Sequence, residues 1–177
     1  MFKFLKEKKK DNKGFTLVEL VIVIAILAIL VGLLAPQYVK YVEKSRKSAD
    51  VSDLDNLVEG LKVAAADTEY QLSTTADAIE YTISISDKGT ELLKGKDIAG
   101  ANDQAAKALE GYSGLKFTEA KLLDGSKIRS QKWGTNGPVV TGAESEIWAK
   151  ITITSDDTVT VAYSTNVTNY SQKGTTK

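Results

Sequence analysis

Gly14, Phe15 and Glu19 are the residues whose types and spacing could do chemistry. Glu19 stands in the first half of an apolar run, Phe15 to Ala35, in which only Thr16, Glu19 and Gly32 are not apolar. A carboxylate inside a membrane-length run costs about 2.5–3.5 kcal/mol on insertion scales, so its presence asks for a cationic partner. No Lys or Arg occurs between Gly14 and Lys40. Cutting the chain between Gly14 and Phe15 would create one, a free amine on Phe15, with Phe15 and Glu19 at i and i+4 on one helical face. The amine could be the molecule's own or that of a neighbour shifted along a shared axis, and spacing alone leaves both open. Gly14 gives a peptidase a small, flexible residue to grip.

Other chemistry finds little support. The chain has no histidine and no cysteine, which excludes disulfides, thiolate nucleophiles, the usual zinc sites and Ser-His-Asp triads. Gly89 and Gly95-Lys96 fail as a phosphate loop, because five residues separate the glycines and Asp97 replaces the needed Ser or Thr. Asp50, Asp53 and Asp55 fail as a calcium loop, because Leu57 fills the next ligand slot, and they read as a solvated helical face. No catalytic residue, cofactor site or metal site is expected. The only basic cluster is the short N-terminal stretch, so no specific nucleic-acid site is expected either.

The elements that position the three residues follow from pattern. A 21-residue helix is roughly 32 Å long, matching a hydrocarbon core of about 30 Å. Lys3, Lys6, Lys8, Lys9, Lys10 and Lys13 precede it against two acids, Glu7 and Asp11; they hold the N-terminus in the cytoplasm and send the rest outside. The run exceeds the apolar core of a secretory signal and no A-x-A cleavage site follows, so the span stays with the mature chain.

Lys13-Gly14-Phe15-Thr16-Leu17-Val18-Glu19-Leu20, leading into the apolar run, resembles the processing and assembly signature of type IV prepilins and pseudopilins. The resemblance covers roughly residues 1–45. It implies that a membrane-embedded prepilin peptidase cuts after Gly14 and methylates the amine of Phe15, and that Glu19 pairs with the Phe15 amine of an adjacent subunit. Pro36 sits where pilins commonly carry a helix-bending proline. A helix kink is expected at Pro36 and Gly32; this chain departs from the pattern in its glycine, which many pilins carry earlier, where Ala28 stands.

Val51, Leu54, Val58, Leu61 and Ala65, broadened by Leu57 and Ala64, extend an amphipathic helix over residues 37–68. Ile79, Tyr81, Ile83 and Ile85 alternate with polar residues as a half-buried strand. Asn102 or Asp103 caps a short helix ending near Gly111. Residues 127–133 are expected to form a strand after an Asp124-Gly125 turn, with a further turn at Asn136-Gly137-Pro138. Ile147 to Tyr163 reads as a hairpin about Ser155-Asp156-Asp157, and the polar tail from Thr165 lacks a pattern. Trp133, Trp148 and Tyr163 read as core or sheet-face aromatics.

The expected fold class is α+β and pilin-like: one long N-terminal helix whose second half packs on an antiparallel sheet of three to five strands. The organisation is a basic leader over 1–14, a transmembrane or filament-core segment over 15–36, the amphipathic half-helix over 37–68, and a β-rich head over 69–177. Residues 69–111 would form a variable connection between helix and sheet. The resemblance implies a structural subunit of a type IV pilus, with adhesion and twitching motility as family functions. Its partners would be copies of itself and minor pilins, the prepilin peptidase, the pilus assembly machinery, and the lipid bilayer before assembly. The precursor would lie in the cytoplasmic membrane and the mature chain in a surface pilus. Lack of a disulfide would suit a Gram-positive source. A pseudopilin of a type II secretion or competence system shares every N-terminal feature. A minor pilin, adhesin or single-span anchored binding module belongs to a different class.

Overall fold

The computed structural model describes residues 14–72, 77–99, 102–114, 116, 122–123, 127–135, 140–156 and 158–171. The chain divides into two compact units, Met1–Tyr41 and Val42–Lys177. Helix α1, Leu17–Ala66, runs from one into the other with Pro36 inside it. Leu17 is its first helical residue, with Phe15 and Thr16 directly ahead of it in the uncut chain.

In the first unit the apolar side chains from Phe15 to Leu34 are exposed. α1 is long and apolar enough there to cross a membrane.

The second unit holds the expected core. Val51, Leu54, Leu57, Val58, Leu61 and Ala64 of α1 are buried with Tyr81, Ile83 and Ile85 of β1, Ile79–Ser86, and with Leu92 of β2, Gly89–Lys94. β3 is Asp97–Ile98, α2 is Gln104–Ser113 and β4 is Leu122–Leu123. Ile147, Ala149, Ile151 and Ile153 of β5, Glu146–Ile153, complete the sheet's contribution with Val161 of β6, Val159–Tyr163. α3 is Thr165–Ser171.

The sheet order is β3-β2-β1-β5-β6, antiparallel throughout, with β4 also pairing β2. Four strands of five residues or more form its body, and β3 and β4 are two-residue additions at the β2 edge. The long-helix, antiparallel-sheet α+β arrangement is the one expected.

Several local expectations need correction. β1 is central, paired with β2 and with β5 from Ile79↔Ile153 to Ser86↔Glu146, so residues 69–111 are not a mere connection. Beyond Glu80 its polar face is buried as well: Ser84 and Ser86 are inaccessible, and Ser84 Oγ donates to Glu146 and Ser86 Oγ to the Gly89 carbonyl. Asp103 caps α2 by accepting from Ala105 N–H, but the helix passes Gly111 and stops at Gly114, which takes the left-handed conformation at φ 69°. Residues 127–133 form no strand, because the Asp50 carboxylate takes the backbone N–H groups of Arg129 and Ser130. The tail forms α3, anchored by Val167, which is fully buried. The two expected turns at 124–125 and 136–138, and Asp157, lie outside the described residues.

Candidate functional site

The N-terminal junction begins with Gly14 and Phe15, both exposed, the latter 87% so. Thr16 then opens α1. Its Oγ1 accepts the Glu19 N–H at 3.2 Å, while Glu19 Oε2 accepts the Thr16 N–H at 2.8 Å. Thr16 Oγ1 also donates to Glu19 Oε2 at 2.8 Å. A helix start leaves its first N–H groups without carbonyl partners, and this reciprocal capping box satisfies two of them. The carboxylate also lies at the positive end of the helix dipole. Sequence reasoning passed over Thr16, although the Thr-x-x-Glu spacing ahead of an apolar run carries the information.

Glu19 is thus engaged before any cut is made, and it is engaged by Thr16, whose nitrogen is the next along the backbone from that of Phe15. Gly32 and Pro36 stand farther along α1, which is assigned as helix across both. Proline has no N–H to give the carbonyl four residues back, and that carbonyl belongs to Gly32. The sequence pair expected to weaken the helix is thus one missing hydrogen bond.

Residues 9–35 match the family model described as the prokaryotic N-terminal methylation motif. The chain carries a type IV pilin-like, class III leader. This motif and the long apolar helix together support a pilin-like or pseudopilin subunit assembled from the membrane, processed by a prepilin peptidase and handed to pilus-type machinery. They point to a structural subunit, with a membrane-anchored precursor and a surface filament as its two settings. No curated protein and no solved structure gives a match to this chain.

Of the three acids expected on a solvated face, Asp50 is buried and bonded, which corrects that expectation, while Asp53 and Asp55 are half-buried and partnered. Asp50 is 1% exposed and accepts from Arg129 N at 2.7 Å, Ser130 N at 2.9 Å and Trp133 Nε1 at 2.8 Å. Asp53 pairs with the Arg129 guanidinium at 2.8 Å, and Glu43 accepts from Ser130 Oγ. Asp55 accepts from Tyr163 Oη at 3.0 Å; burial pushes that phenol's pKa up, and the Asp55 charge raises it further. Among the described residues no group of His, Cys, Asp or Glu side chains gathers in a way that could hold a metal ion.

Proposed function

We propose that this chain is the major structural subunit of a type IV pilus. Its precursor sits in the cytoplasmic membrane with the basic N-terminus inside. The peptidase removes residues 1–14 by cutting after Gly14, and the new amine of Phe15 is methylated. As the filament grows, Glu19 gives up its Thr16 contacts and pairs with the Phe15 amine of an adjacent subunit. Burying that carboxylate among stems is tolerable only with a cation beside it. The apolar side chains of residues 15–36 exchange lipid contacts for contacts with other copies, a transfer between two apolar surroundings. The Gly32–Pro36 step is where α1 loosens to fit its neighbours. Residues 37–68 and 69–177 supply the helix base and the β-rich portion.

The observation that carries this reading is the methylation motif running directly into an exposed apolar helix. The test is the intact mass and N-terminal sequence of the protein in filaments sheared from its native cells. Abundant chains beginning at methylated Phe15 are expected. An uncut chain found only in membranes would overturn the reading in favour of an anchored receptor, and a cut chain present only in trace amounts would favour a pseudopilin or minor pilin.

A further inference from the structure

Two aromatic side chains close the apolar run on its C-terminal side. Tyr38 is 70% exposed and Tyr41 is 72% exposed, on the same unit as the span. At 100° per residue the two rings lie on neighbouring sides of α1, and Lys40, also exposed, lies on another. Neither tyrosine adds to the buried core of the second unit. Each has an apolar ring and a hydroxyl at its tip, the shape that suits the boundary between acyl chains and headgroups.

Spacing supports a depth assignment. From Glu19 to Tyr38 is 19 residues of α1, about 28 Å of helix, close to the roughly 30 Å of a hydrocarbon core. A crossing whose cytoplasmic end lies near the Thr16–Glu19 turn therefore ends near the level of the tyrosine pair. We infer that Tyr38 and Tyr41, with Lys40 reaching for phosphate, form an interfacial anchor for lipid headgroups on the far side of the membrane. This rests on the membrane-precursor reading given above. The anchor fixes the depth of the span, and so the level at which the Gly14–Phe15 junction meets the opposite surface. Leucine in place of both tyrosines would join Val39 in adding apolar surface beyond Pro36 and Gln37, and the span would be free to slide inward.

The chain has no cysteine, so a single one can be introduced and labelled without interference. Val31 is exposed and lies inside the run, which makes Val31→Cys the site for a nitroxide. The full-length precursor is placed in vesicles of phosphatidylethanolamine and phosphatidylglycerol. The label's relative accessibility to oxygen and to a water-soluble nickel complex reads its depth. With both tyrosines replaced, Tyr38→Leu and Tyr41→Leu, the label is expected to move deeper by one or two residues of helical rise, about 1.5–3 Å. Tyr38→Trp with Tyr41→Trp should restore the original depth. An unchanged depth in the leucine pair would overturn the anchor while leaving the span intact. A label that is freely accessible to nickel with the tyrosines in place would overturn the membrane reading itself, and the anchor with it.

Discussion

The Asp50 carboxylate accepts the Trp133 indole N–H at 2.8 Å across a sequence separation of 83 residues. It is one of three hydrogen bonds that Asp50 accepts from the segment around Arg129, beside the contacts of that segment with Glu43 and Asp53, and the Asp50 side chain is almost wholly inaccessible. Around Trp133 the same logic repeats with other chemistry. Lys47 Nζ lies 4.5 Å from the ring centroid, and Tyr170 of α3 meets the indole edge-on at 5.3 Å between centroids. In a chain with no cysteine, the Asp50 carboxylate and the Trp133 indole thus stand at the centre of the contacts that tie a strandless loop and the C-terminal helix to α1.

Removing that carboxylate leaves three donors to be satisfied at once, and a buried donor left without an acceptor costs about 1–3 kcal/mol. Asp50→Ala is expected to destabilise the second unit by about 3 kcal/mol or more. Asp50→Asn should cost less, because one oxygen still accepts, although its amide NH2 then faces a backbone N–H. Urea unfolding of the two variants beside the parent chain, followed by far-UV circular dichroism, measures both. Midpoints within error of the parent's would show that the Asp50 contacts contribute nothing net.

The parts of this architecture that were legible in the sequence are the local ones. The apolar stripe of α1 repeats every three to four residues, and the β5–β6 hairpin joins neighbouring strands, so period alone reveals them. The junction at Gly14, Phe15 and Glu19 is likewise contained within a few consecutive residues. What was not legible depends on distant partners. Residues 127–133 follow a turn signal as a strand would, but the backbone donors of Arg129 and Ser130 go to Asp50, which no local pattern could reveal. Asp50 looks solvated for the same reason. β1 reads as a strand, yet its central place comes from pairing with β5 some sixty residues later. α3 is short and polar, and its stability comes from Val167 and Tyr170 meeting surfaces made elsewhere.

Glu91 on β2 gives a pH-dependent prediction. Burial, and then the nearby charge of Glu146, raise its carboxyl above the ordinary value. The folded chain therefore holds this proton more tightly than the unfolded chain does. Stability contributed at Glu91 is greatest below the unfolded value, falls as pH rises through the raised one, and stays reduced at neutral pH. Glu91→Gln is expected to raise the urea midpoint at neutral pH and to change it little in acid below the ordinary glutamate range. A midpoint lowered at neutral pH would contradict this sign.

The C-terminal helix makes a separate prediction. Val167 is fully buried, and Tyr170 Oη donates to the Lys44 carbonyl at 2.9 Å while its ring packs on Trp133. Ending the chain at Ser164 removes both anchors and uncovers Trp133. Losing one large buried side chain costs about 2–5 kcal/mol, so the truncated chain should unfold at clearly lower urea, with a red-shifted tryptophan emission before the main transition. Val167→Ala should give a smaller loss in the same direction. Equal stability of the truncated and full chains would mean that α3 only lies against the surface.

Glu19 has two separable duties, and a pair of variants distinguishes them. In the single chain its carboxylate caps α1 through Thr16. In the proposed filament it neutralises the Phe15 amine of a neighbour. Glutamine serves as well as glutamate in a capping box but carries no charge. Glu19→Gln is therefore expected to keep the helix start and allow cleavage after Gly14, yet to reduce filament yield strongly. Glu19→Ala should lose the cap as well, fray the first turn and assemble no better. Thr16→Ala weakens the cap alone, by about 1 kcal/mol, and should still be cut and assembled. Mass spectrometry of the processed chain and the mass of sheared filaments report the two steps independently. Wild-type filament yield from Glu19→Gln would reduce Glu19 to a helix cap, and the role of the Phe15 amine would then need another partner.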